Sequence, residues 1–280
     1  AQTVVNTSYD PVAIATDGDA DLGDRIKVVG DVNGDGFNDY VVTAPRADTN
    51  LFVDSGSAYL IFGSAKGFGA GFDLNNLSPQ QGIRFAGTEN YEWLGDTTAV
   101  GGGVGDHGDA YTGQGASVNS LGDINGDGIT DFAIGSPNWG DQLNDNQAAG
   151  RVYVIYGNAL GNSWADIDLA GLNGSNGFIL NSTELGSAVS QYNATAHSQL
   201  GSSISTGGDV NGDGVDDFLI GAPGADTDKG ATTYAGATYL VYGQAGGTDF
   251  SSITDLDVLV AAGKAVKFTG TTTKDFVGTG

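Results

Sequence analysis

Asp31-Val-Asn-Gly-Asp-Gly-Phe-Asn-Asp39 returns twice in this chain, as Asp123-Ile-Asn-Gly-Asp-Gly-Ile-Thr-Asp131 and as Asp209-Val-Asn-Gly-Asp-Gly-Val-Asp-Asp217. Oxygen-bearing side chains stand at positions 1, 3, 5 and 9 of each copy, and Gly stands at 4 and 6. Glycine accepts the backbone conformations needed where a chain wraps sharply on itself. Hard oxygen donors at this density suit Ca²⁺, which takes about 6–8 oxygens at roughly 2.3–2.6 Å; Mg²⁺ prefers to keep its waters and fits less well. A single such cluster could also be read as a mere Asp/Asn-rich hairpin turn. Three copies with every oxygen position kept favour an ion site.

The EF-hand loop shares the first six positions, but it needs a bidentate Glu at position 12 and a helix on each side. Position 12 here is Val42, Ile134 and Ile220. Position 9 is followed by Tyr-Val-Val-Thr-Ala-Pro, Phe-Ala-Ile-Gly-Ser-Pro and Phe-Leu-Ile-Gly-Ala-Pro. Short β-branched and aromatic runs ended by Pro are strand signals. Each ion loop therefore feeds a buried strand.

Working outward, a repeating unit emerges. Before each loop lies a small/apolar alternation: 22–30, 114–122 and 200–208. After it comes a further strand, Ala58-Tyr-Leu-Ile-Phe-Gly63, Val152-Tyr-Val-Ile-Tyr-Gly157 and Thr238-Tyr-Leu-Val-Tyr-Gly243. A short strand is read at the head of each unit: 12–14, 83–85, 178–180 and 266–268. The expected organisation is one repeat domain over 1–280, with repeats at about 12–82, 83–177 and 178–265 and the start of a fourth at 266–280. The ion motifs lie 92 and then 86 residues apart, so long insertions are expected at 89–112, 183–198, 47–54, 140–149 and 226–235. Insertions on a repeat tend to cluster on one face that often binds. Single helical turns are expected near 74–77 and 167–172, and no long amphipathic helix. The fold class is all-β, built from propeller-type blades of four antiparallel strands.

Composition narrows the function. Acidic residues number 34 against 10 basic, for a net charge of −24. Nucleic acid and anionic membranes are disfavoured as partners, because phosphate binding needs Lys and Arg. Nine of the acids are the Asp residues at positions 1, 5 and 9 of the loops; three bound Ca²⁺ would bring the formal charge to about −18. The chain has no Cys, so no disulfide framework informs the compartment. Weak multi-site Ca²⁺ modules belong where the ion is millimolar, outside the cell. Ala1-Gln-Thr would fit a signal-cleavage product, and no apolar run approaches the roughly 20 residues of a membrane span.

Asp-x-Asn-Gly-Asp-Gly-x-x-Asp, then an apolar run with Gly-Ala-Pro, then Tyr and a closing Tyr-Gly, resembles the FG-GAP repeat of the integrin α-subunit β-propeller, which also occurs in bacterial secreted and surface proteins. The resemblance covers about 12–280. It implies one Ca²⁺ per loop, held by Asp31, Asn33, Asp35, the Phe37 carbonyl and Asp39; by Asp123, Asn125, Asp127, the Ile129 carbonyl and Asp131; and by Asp209, Asn211, Asp213, the Val215 carbonyl and Asp217. The chain departs from the family at Thr43-Ala-Pro45 and Gly135-Ser-Pro137, and the aromatic of the "FG" pair is read as Leu22, Gln114 and Leu200. Three units are too few for a closed propeller of about 4–8 blades. The expectation is a piece of a longer chain, or copies completing a ring or array.

Catalytic signals are thin. Two His are present, His107 and His197, both in insertions, and no His-Glu-x-x-His or phosphate loop occurs. Among so many acids, a carboxylate pair for glycoside hydrolysis carries little weight. Tyr91, Trp93, Trp139 and Trp164 lie in or near loops, where they either serve recognition or plug gaps between blades. The expected function is a non-enzymatic, extracellular or cell-surface calcium-binding module for adhesion or surface/filament assembly. A protein or glycan ligand on the loop face and self-association are its expected partners. The alternative is a propeller domain of a secreted carbohydrate-active enzyme.

Overall fold

Each Asp-Asn-Gly-Asp-Gly loop closes an antiparallel hairpin, and three such hairpins seed three sheets. The computed structural model describes residues 21–49, 51–68, 72–96, 117–140, 149–158, 164, 169–181, 198–225, 235–246, 250, 253–272, 275 and 277–279. The first blade runs β1 (Ile26–Gly30), β2 (Asp39–Ala44), β3 (Ser57–Ile61) and β4 (Gly82–Ala86), hydrogen-bonded in chain order. The second is β5 (Val118–Gly122), β6 (Asp131–Ser136), β7 (Arg151–Ile155) and β8 (Gly177–Asn181). The third is β9 (Ser203–Gly208), β10 (Asp217–Ala222) and β11 (Ala237–Val241), closed by β13 (Ala265–Thr269). The chain is thus all-β in blades of four antiparallel strands, as expected.

The middle strands read as continuous apolar runs because both of their faces are covered. Val41, Leu60 and Phe85 of the first blade pack with Phe132, Tyr153 and Ile155 of the second. Across the other face, Val152, Val154 and Phe178 meet Phe218, Tyr239 and Val241 of the third. Each such fully buried side chain contributes about 1.5–3 kcal/mol by leaving water, so interblade burial is the main cohesive term. The first strands lie together at one side of the blades, β5 beside both β1 and β9. Asn119 Nδ2 donates to the Ile204 carbonyl (3.0 Å) and Thr206 Oγ1 to that of Leu121 (3.2 Å), joining β5 to β9.

Three features depart from the sequence reading. The strands read as heads of repeats, 83–85, 178–180 and 266–268, are instead the last strands of the preceding blades, β4, β8 and β13. The hydrogen-bonded unit is therefore phased one strand later than the repeat boundaries at 82/83, 177/178 and 265/266; the strand read at 12–14 lies outside the described residues. Secondly, Leu94-Gly95 takes the backbone position of the glycine pair at the head of the second unit, whereas Gln114, read there from the sequence, lies outside the described residues. Leu94, Leu200 and Val277 donate to the carbonyls of Ser55, Ala149 and Ala235. Gly23, Gly95, Gly201 and Gly278 share φ values of 92, 81, 93 and 95°. The insertion in this unit falls between that pair and β5. Val277-Gly278 is accordingly the start of a fourth unit. Thirdly, β12 (Ile253–Asp255) adds in parallel to the outer strand β8, followed by a one-turn-and-a-half helix α1 (Leu256–Ala261) capped by Asp255. The expected short turns appear as 3-10 helices at Leu74–Asn76 and Leu169–Gly171.

Candidate functional site

The three loops fold alike because their own side chains organise their backbone. The position 1 carboxylate accepts from the N–H groups of positions 5 and 6: Asp35 (3.0 Å) and Gly36 (2.8 Å) to Asp31, Asp127 (3.0 Å) and Gly128 (2.8 Å) to Asp123, Asp213 (3.0 Å) and Gly214 (2.9 Å) to Asp209. The Asn oxygen at position 3 accepts from the same position 5 N–H, at 3.0, 2.9 and 2.9 Å for Asn33, Asn125 and Asn211. The position 5 carboxylates accept from the position 7 N–H of Phe37 (2.8 Å), Ile129 (2.9 Å) and Val215 (3.0 Å). Gly34 and Gly36, with φ of 70 and 89°, permit this inward turn of the amides.

Position 9 does something the sequence reading did not include. Asp39, Asp131 and Asp217 are fully buried, and each uses both carboxylate oxygens as a latch. One oxygen accepts from position 2: Val32 (3.0 Å), Ile124 (2.9 Å) and Val210 (2.8 Å). The other accepts from the Gly two residues beyond the third strand: Gly63 (2.7 Å), Gly157 (2.7 Å) and Gly243 (2.9 Å). The repeated Tyr/Phe-Gly pair was the sequence signal for this latch. Burial pushes Asp131 up to about 8 and Asp39 to about 6, against the pull of their backbone donors; the position 5 and position 1 carboxylates add to the rise.

The sequence-identified ligands are thus placed in two groups, positions 1, 3 and 5 around one amide and position 9 across the loop. Among the described residues no three carboxylates or imidazoles by themselves gather into a metal cluster. The donor set is mixed instead, with Asn and main-chain oxygens beside the acids. Ionised oxygens that accept one N–H keep further acceptor capacity. The two ion pairs Arg25–Asp24 and Arg46–Asp21 lie outside the loops. Nine carboxylates at positions 1, 5 and 9 of three tight loops, without a basic partner among the described residues, fit a hard divalent cation.

The loops differ in cover. Asn158 N–H donates to the Val32 carbonyl (2.8 Å), and Gln244 N–H to that of Ile124 (2.8 Å); Gly246 N–H donates to the Asn125 carbonyl (2.6 Å). In each case the following blade roofs the preceding loop. Asp216, at position 8 of the third loop, accepts from Asp123 N–H (2.9 Å) and donates its own N–H to the Asp123 carbonyl (3.1 Å).

Elsewhere, Trp164 plugs an interblade gap edge-on to Phe62, with ring centroids 5.5 Å apart. Arg46 lies over Trp93 and Arg151 over Trp139. Glu92, wholly buried, accepts from Tyr153 Oη (2.6 Å), Ser136 Oγ (3.1 Å) and the backbone of Thr88 and Glu89. Burial drives its pKa up. This link between blades was not identified from sequence. His107 and His197 lie outside the described residues.

The FG-GAP repeat family model matches residues 28–61, 115–155 and 200–241. Phosphatidylinositol-glycan-specific phospholipase D of Bos taurus is 34% identical over 142 residues, covering 51% of this chain and 14% of that protein. Integrin alpha-5 of Xenopus laevis is 31% identical over 137 residues, 48% of this chain and 10% of the relative. Integrin alpha-V of Gallus gallus is 28% identical over 252 residues, 87% of this chain and 18% of the relative. The chain spans under a fifth of the length of each of these relatives.

Proposed function

We propose that this chain, an FG-GAP repeat protein, is an extracellular or cell-surface calcium-binding module that mediates adhesion or assembly without catalysing a reaction. The observation that carries this is the threefold recurrence of a pre-organised oxygen loop whose carboxylates have no basic partner among the described residues. Ca²⁺ would be held by Asp31, Asn33, Asp35, Asp39 and the Phe37 carbonyl, and by the equivalent sets 123–131 and 209–217. Its role is to neutralise clustered Asp and tie each hairpin, so metal binding contributes folding free energy. The similarity to integrin α subunits supports an adhesive role, with a protein or glycan partner on the insertion-bearing loop face.

Native mass spectrometry in Ca²⁺ and after chelation tests the metal reading. The expectation is three ions per chain and a lower melting temperature on their removal. Attachment of protein-coated beads to cells, compared in Ca²⁺ and chelator, tests the adhesive reading; calcium-independent or absent attachment would count against it. A second reading follows from the likeness to the phospholipase D of Bos taurus: a repeat module within a longer enzyme. Hydrolytic activity in the full-length natural protein, with attachment absent, would favour it.

A further inference from the structure

We propose that the calcium loops 123–131 and 209–217 fill as a coupled pair, with Asp216 as the positioning residue that carries order from one loop into the other. This rests on the calcium reading above and adds a regulation to it: each ion raises the affinity of the neighbouring site.

Asp216 stands at position 8 of its own loop, between two of that loop's expected ligands, the Val215 carbonyl and the Asp217 carboxylate. It is not among the donors itself. Its side chain crosses to the preceding blade. One carboxylate oxygen accepts from the Asp123 N–H (2.9 Å), and the Asp216 N–H donates to the Asp123 carbonyl (3.1 Å). Asp123 is position 1 of the other loop, and its carboxylate gathers the amides of Asp127 and Gly128. The main chain of a first ligand is thus held, at both its polar groups, by a residue that lies between two ligands of the next site. The approach is close enough that a Cβ on Gly122 would collide with the Asp216 carboxylate.

A second connection runs through 243–246. Gly243 N–H donates to the Asp217 carboxylate (2.9 Å). The next residue, Gln244, donates its N–H to the Ile124 carbonyl (2.8 Å), and Gly246 donates to that of Asn125 (2.6 Å). A Cβ on Gly243 would lie 2.7 Å from Val215 Cγ1 and 2.9 Å from the Ile124 carbonyl oxygen, so this segment is wedged between the two loops. It fastens position 9 of one loop and positions 2 and 3 of the other.

An ion bound at 209–217 fixes the Val215 carbonyl and Asp217, and through them Asp216 and the 243–246 segment. Those groups in turn fix 123–125. The order that an ion at 123–131 must impose is then already in place, which is a favourable coupling between sites. Linkage makes the effect equal in both directions. Loop 31–39 meets 123–131 differently. Position 8 of 123–131 is Thr130, whose side chain lies against Gly30, and among the described residues it makes no hydrogen bond to Asp31. The Asp216 connection is therefore particular to the pair 123–131 and 209–217.

The test is hydrogen exchange across a Ca²⁺ titration of the chelator-stripped full-length natural protein, read separately for each loop. The double substitution Asp209→Asn with Asp213→Asn empties the third loop. The Ca²⁺ midpoint for protecting 123–131 should then rise at least about 5-fold. The reciprocal pair, Asp123→Asn with Asp127→Asn, should raise the midpoint of 209–217 by a like factor. Asp216→Ala should raise the midpoint of 123–131 although every expected ligand is kept. Asp216→Asn, which keeps an oxygen to accept from Asp123, should restore most of the loss; both variants remove the charge, so this rescue assigns the effect to the hydrogen bond. A midpoint at 123–131 that does not move when the third loop is emptied would overturn the coupling. Equal behaviour of the Ala and Asn variants would overturn the role of Asp216. Both results leave the calcium reading intact, whereas no calcium-dependent protection in any loop would overturn that reading as well.

Discussion

Replacing Gly201 by Ala should destabilise the protein through a contact between blades, and Gly23→Ala supplies the matched control. Both glycines have nearly the same backbone, φ +93 and +92°. An L-residue forced into left-handed φ space costs about 1–2 kcal/mol, and this part is common to the two. The surroundings differ. A Cβ on Gly23 meets nothing within 4 Å among the described residues; one on Gly201 would lie 2.8 Å from the Arg151 carbonyl oxygen and 3.0 Å from both Gly135 Cα and Val152 Cγ2. Those neighbours belong to the second blade, whereas Gly201 N–H donates to Gly221 of the third (2.9 Å). Overpacking against backbone adds about 1–3 kcal/mol. The expected losses are about 1–2 kcal/mol for Gly23→Ala and about 2–5 kcal/mol for Gly201→Ala. At about 2–4 °C per kcal/mol for chains of this order, the two separate clearly in thermal melts at saturating Ca²⁺. Equal losses would mean that the tight approach at Gly201 relaxes freely, and the reasoning would fail.

Other outcomes follow from the same geometry. Tyr153→Phe removes the 2.6 Å hydrogen bond to buried Glu92 and should cost about 1.5–3 kcal/mol, as for hydrogen bonds to charged groups; an unchanged denaturation midpoint would deny that this link holds two blades together. Trp164→Ala empties the space against Phe62 and should cost about 3–5 kcal/mol, measured by urea unfolding. Without metal, burial pushes the Asp131 carboxyl up to about 8 and that of Asp39 to about 6, above the usual carboxylate range. The stability linked to these raised values is fully present below about pH 4 and is lost as pH rises through 6 and 8. The metal-free melting temperature should therefore fall between pH 5 and pH 8, and Ca²⁺ should flatten that slope. A metal-free protein that gains stability over this range would contradict the burial of those carboxylates.

The loops and their flanking strands could be read from the sequence because local chemistry specifies them. Asp, Asn and Gly at fixed offsets dictate the turn, and runs such as Phe132-Ala-Ile-Gly-Ser136 can only be strands covered on both faces. Phase was not readable in the same way. Ile83-Arg-Phe85 looks like any short strand, and nothing local states that it pairs backward with β3 rather than forward. Leu94-Gly95 was not readable for a related reason: it stands far upstream of β5 in sequence and is identified only by its donors and its φ. The position 9 carboxylates were recognised as oxygens but not as latches, because their second partner lies 24 to 26 residues away in sequence. Glu92 gave no signal among so many acids. The six-residue α1 is too short for periodicity to reveal.

The parallel strand β12 has a mechanical consequence. It lies in the connection between β11 and β13 of the third blade, yet it is hydrogen-bonded to β8 of the second through Ile253↔Ile179 and Asp255↔Asn181. Phe250, just before it, stacks flat on Phe178 at 4.1 Å. The third blade thus clasps the rim of the second as well as facing it. A pull that peels the third blade away must also strip this clasp, so the two blades share one yield point under load.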